Sequence, residues 1–138
     1  MNYTSMRDRA LVRAARTYIE RERLKGRTPT MTEAAEAVVS GPAPSFFISF
    51  APLYNGVCRL LGEEGTAQTD APPTLSQQRL HDVAARVRAL RQEQPRTPLT
   101  VAVTQVMARG GAPRFYITAD HARRILCRNL LKPSRLAF

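Results

Sequence analysis

The chain has 138 residues, 43% of them apolar, and 21 Lys+Arg against 11 Asp+Glu for a formal charge of +10. That apolar share belongs to a folded protein rather than a disordered one, and no run of 18 apolar residues offers a membrane span. Two cysteines without a CxxC argue against a disulfide framework or a thiol-rich metal site, and the first residues lack the apolar stretch of a secretory signal, so a cytoplasmic location is expected.

Taken in chain order, the apolar spacing predicts a helix from about Ser5 to Leu24, with Leu11, Ala14, Tyr18 and Ile19 toward a core. Ser5 and Asp8 have the spacing of a capping box at its start. Arg27-Thr28-Pro29 ends it, because proline disfavours helix at the preceding residue. Thr30 and Glu33 form a second capping-box pair, opening a helix over about 31–40 whose apolar face is Ala34, Ala35, Val38 and Val39, with Gly41 as its stop. Gly41 to Ser49 reads as a short extended segment whose aromatics fold back on the core and whose last residue caps a third helix. That helix covers about 50–61, where Pro52 falls in the tolerant first turn. Residues 62–73 carry no apolar period and read as a flexible linker.

The pattern then begins again at an offset of 69 residues. From Arg27 to Leu61 the chain matches Arg96 to Leu130 at 11 of 35 positions without a gap. The pairs include Ala43 with Ala112, Phe46 with Phe115 and Cys58 with Cys127. Helices are expected over about 75–92, 99–109 and 119–131, with Leu80, Val83, Val87, Leu90, Val103, Val106 and Met107 facing inward, Gly110 as a stop and Thr118 as a cap. The expected fold is all-α: a tandem duplication of a three-helix unit with pseudo-twofold character, comprising a first repeat at 1–61, a linker at 62–73 and a second repeat at 74–138. A 69-residue unit is near the size at which a lone core is marginal, so the halves are expected to pack on one another.

Charge distinguishes the halves. Residues 1–69 carry 9 Lys+Arg against 7 Asp+Glu, while residues 70–138 carry 12 against 4. GC-rich coding accounts for 19 Arg beside 2 Lys, but not for this asymmetry, which points to a polyanion. On the last helix His121, Arg124, Arg128 and Lys132 fall within about 80° of one another, opposite Ala122, Ile125, Leu126 and Leu130. Arg109, Arg114 and Arg123 extend the basic surface, and Thr118 caps the helix that presents it. In the first half Ser45, Tyr54, Asn55 and Glu63 stand where the second has Arg114, Arg123, Arg124 and Lys132. Such a stripe neutralises phosphates and can reach guanine edges.

Three helices ending in a basic amphipathic one resemble, in general plan, the helix-turn-helix class of DNA-binding domains. The resemblance implies a non-enzymatic DNA-binding protein, with DNA favoured over RNA, in which Thr118, Arg124 and Arg128 lie nearest the nucleic acid. The chain departs from that class in its connector, where Gly110 to Thr118 takes nine residues rather than three or four. The first repeat diverges toward apolar groups, and Phe50, Leu53 and Tyr54 form a candidate interaction surface for a homodimer or a protein partner. No GxSxG, HExxH or P-loop occurs, and two histidines and two separated cysteines assemble no metal set, so neither enzyme activity nor a cofactor is expected.

Overall fold

In a computed structural model that describes residues 2–62 and 72–131, six helices follow one another. They are α1 (Tyr3–Leu24), α2 (Met31–Val39), α3 (Phe50–Gly62), α4 (Leu75–Glu93), α5 (Leu99–Arg109) and α6 (Ala119–Leu130). Among the described residues there is no strand, only an isolated antiparallel bridge between Ala43 and Ala112, so the fold is all-α as expected. Most of the expected linker, residues 63–71, lies outside the described residues.

Local chemistry sets the helix starts. Thr30 and Glu33 exchange side-chain and backbone bonds of 3.1 Å each at the start of α2. Thr74 and Gln77 do the same at α4, which the sequence reading did not mark. At α1 the expected capping box is replaced: Asn2 is the cap, its Oδ1 accepting the Ser5 N–H at 3.1 Å, and Asp8 instead pairs with Arg7 at 2.9 Å. The α1–α2 turn is held by Glu22, only 6% exposed, whose carboxylate meets Lys25 Nζ at 3.4 Å and Arg27 Nη1 at 3.5 Å. Gly26 takes φ +82° within that turn, a region L side chains rarely adopt.

The helices form two compact units that do not follow the expected division into 1–61 and 74–138. Unit one comprises residues 1–47 and 111–138, and unit two comprises 48–110. In unit one, α6 packs on both α1 and α2. Its core includes Leu11, Ala15, Ala34, Ala35, Ile125 and Leu126, all 0% exposed. In unit two, α3 packs on α4 and α5 around Leu53, Val57, Val83, Val87 and Val103, again all 0% exposed. Here α3 comes very close to α4, since a Cβ on Gly56 would lie 2.6 Å from Leu80 Cδ2. Each unit therefore takes two helices from one half of the sequence and its third from the other.

Unit one also contains most of both connectors, residues 41–47 and 111–118. Ala43 N–H donates to Ala112 O at 2.9 Å and Ala112 N–H to Ala43 O at 2.7 Å, with Gly111 N–H on Pro44 O and Phe115 N–H on Val39 O beside them. Phe47 and Tyr116, 69 residues apart, are the only non-glycine residues of positive φ among those described, at 52° and 43°. A left-handed aromatic is costly, about 1–2 kcal/mol by the Cβ–carbonyl clash. Each ring stacks on the buried aromatic of the other connector: Phe47 on Phe115 at 6.3 Å and Tyr116 on Phe46 at 6.1 Å. Phe46 and Phe115 are 4% and 2% exposed, so the stacks anchor the bends to the core.

This distribution of helices between the units predicts how a severed chain behaves. A protease site placed between Gly62 and Pro72, once cleaved, leaves two pieces that each contribute helices to both units. On size exclusion with light scattering the nicked protein is expected to remain one particle of about the intact 15.4 kDa. Separation into two independently folded pieces would contradict this packing.

Candidate nucleic-acid interface

The basic stripe begins at α6, whose N-cap Thr118 accepts the His121 N–H on its Oγ1 at 3.1 Å. With Ala122, Ile125 and Leu126 buried, Arg124 and Arg128 are left exposed on the far side, while His121 and Arg123 are half-buried. To this extent the helical wheel holds.

The stripe is not freely cationic. Asp120, in the first turn, places Oδ1 3.1 Å from Arg123 Nη2 and Oδ2 3.2 Å from Arg124 Nη2. The hydrogen bond from Arg123, followed by the field of Arg124, holds the Asp120 carboxyl below its usual value, and the same contact raises Arg123. The spacings of three and four residues that permit both pairs are visible in the sequence, and they show that two of the expected cations share one acid. Arg128 has no ion-pair partner among the described residues.

The remaining expected residues scatter. Arg114 is half-buried in its connector, its guanidinium carbon 5.9 Å from the centre of the Tyr116 ring. That contact supports the left-handed bend. The corresponding bend at Phe47 is held by its N–H donating to Ser45 Oγ at 3.0 Å. Arg109 is exposed at the end of α5 and belongs to unit two, whereas the α6 residues belong to unit one. Lys132 lies outside the described residues. Of the candidate interaction surface, Leu53 is fully buried and serves the core of unit two instead. Phe50 is 37% exposed and stacks on half-buried Tyr54 at 5.3 Å. Cys58 hydrogen-bonds the Tyr54 side chain and raises its phenol.

One set of cations falls outside the expected stripe. Arg9, Arg13, Arg16 and Arg23 are exposed on α1, and their separations of four, three and seven residues repeat on one helical face. Among the described residues none of the four has an ion-pair partner. Taken over the units, residues 1–47 and 111–138 carry 14 Lys+Arg against 6 Asp+Glu, a net of +8, while residues 48–110 carry 7 against 5, a net of +2.

No family model, curated protein or solved structure matches this chain. No group of three or more His, Cys, Asp or Glu able to hold a metal ion occurs among the described residues, and no helix there is long and apolar enough to cross a membrane.

The Asp120 pairs give a pH signature of known sign. Because its folded value is depressed, Asp120 stabilises the fold fully above the ordinary carboxylate range and loses that contribution as pH falls through the folded value. Thermal midpoints of Asp120→Asn are expected to lie below those of the parent at pH 7 and to converge with them as the pH falls through the depressed folded value of Asp120. A gap that persisted unchanged in acid would show that the ion pairs do not stabilise α6.

Proposed function

We propose that this chain is a non-enzymatic nucleic-acid-binding protein, with DNA favoured over RNA, and that unit one makes the contact. The observation that carries the reading is the concentration of charge, +8 over residues 1–47 and 111–138 against +2 over 48–110. A compact body of that charge attracts phosphodiester backbones without needing a reactive centre. Arg124 and Arg128 are exposed on α6, where they can meet phosphate, and Asp120 tempers the first of them.

We read the architecture as a duplicated three-helix module whose third helices have changed places. The offset of 69 residues supports this, since it relates Phe47 to Tyr116 and pairs Ala43 with Ala112. The helix-turn-helix likeness is then one of general plan alone: α5 and α6, consecutive in the chain, belong to different units, and α6 packs on α1 and α2 instead.

Fluorescence anisotropy with a DNA duplex of about 20 bp, between about 50 and about 200 mM KCl, tests the proposal. Affinity is expected to fall steeply with salt, and Arg124→Ala with Arg128→Ala is expected to weaken binding and flatten the salt slope by about 2. An RNA duplex of equal length is expected to bind less well, because its deep, narrow major groove excludes side chains. Absence of binding, or binding indifferent to salt, would refute the reading.

A second reading rests on the Phe50–Tyr54 stack, an apolar ledge on unit two suited to a second copy or a protein partner. Tyr54→Glu is expected to dissolve any oligomer seen on size exclusion. An unchanged elution volume would dismiss this surface.

A further inference from the structure

We infer that the outer face of α1, rather than α6, supplies the main phosphate-binding surface, and that its ligand is the backbone of double-stranded DNA. This inference rests on the nucleic-acid reading above. With Leu11, Ala15 and Glu22 buried on one side of α1, Arg9, Arg13, Arg16 and Arg23 fall within about 80° on the opposite side, along about 21 Å of helix. That run is long enough to follow several phosphates of a duplex, whose two strands together carry one charge per about 1.7 Å of axis.

Availability separates the two helices. On α6, Asp120 holds both Arg123 and Arg124 at 3.1 and 3.2 Å. The four α1 guanidiniums have no ion-pair partner among the described residues, and a single acid, exposed Glu20, shares their face. The other half of the sequence carries Gln78, Asp82, Ala85 and Gln92 at the corresponding positions of α4. The row is thus peculiar to α1, although α4 has the same place in its own half. Its side chains also select among nucleic acids. No aromatic lies on this face to stack an unpaired base, so the row lacks the platform that single-strand binders use and offers a duplex backbone a line of cations.

The test uses the full chain with Arg9, Arg13, Arg16 and Arg23 all changed to Gln, or all to Lys. Both replacements are good helix formers, and circular dichroism verifies that α1 persists. Anisotropy is measured on a mixed-sequence duplex of about 20 bp and on a single-stranded oligothymidine of equal length. The Gln variant is expected to lose about 100-fold in duplex affinity at low salt and to show a salt slope shallower by about 3–4 than the parent. The Lys variant should keep most of both, since each ammonium still neutralises a phosphate.

If the parent chain binds neither probe, the nucleic-acid reading falls, and this inference with it. If the parent binds duplex and the Gln variant binds equally well while Arg124→Gln with Arg128→Gln abolishes binding, only the assignment to α1 is overturned. Tighter binding to oligothymidine than to duplex would overturn the choice of ligand.

Discussion

Two hydrogen bonds between Ala43 and Ala112 fix the place where the connectors meet, and the architecture follows from that pairing. Each connector carries the chain from one compact unit to the other, at residues 47–48 and again at 110–111. At the second crossing Gly110 and Gly111 take φ +64° and +72°, while Phe47 at the first crossing and Tyr116 further along the second connector hold a left-handed conformation that glycine would adopt more cheaply. Glycine would free the backbone but remove a ring from the stacks Phe47–Phe115 and Phe46–Tyr116. Such pairs are worth about 0.5–1.5 kcal/mol beyond the area they bury, comparable to the backbone strain of about 1–2 kcal/mol. The bend and the stack therefore persist together.

Helices were legible in the sequence because their punctuation is local. Thr30 with Glu33 announced α2, and α5 kept its expected limits of Leu99 and Arg109. The start of α1 was misplaced because Asn2 competes with Ser5 as a cap, and Asp8 turned to its neighbour Arg7. The grouping of helices was not legible. Apolar spacing reveals that Ile125 and Leu126 face a core, but not whether α1 or α4 supplies the other side, since both offer similar stripes. Phe47 and Tyr116 gave no local signal, because aromatic residues rarely take positive φ.

The electrostatics were legible only in part, for the same reason. Dividing the charge by sequence halves placed the excess on α6 and left α1 in the milder half. Packing of α6 on α1 and α2 brings the arginine-rich α1 and α6 into one unit, so the excess belongs to an assembly that neither half of the sequence contains. The exposure of Arg124 and Arg128 followed directly from the helical wheel. The partial neutralisation by Asp120 needed only the spacing rule for neighbouring turns, and it shows that counting cations overstates a surface whose acids lie within reach.

Unit two is one unbroken stretch of chain, residues 48–110, whereas unit one joins residues 1–47 to residues 111–138. During synthesis on a ribosome, α1 and α2 emerge before α6 and cannot complete their core until it follows, because α3, α4 and α5 are translated in between. The later-emerging unit is then the first able to fold, and the earliest helices wait with Leu11 and Ala35 uncovered. Contacts joining such distant stretches also slow refolding, since the loop must close before its burial is gained.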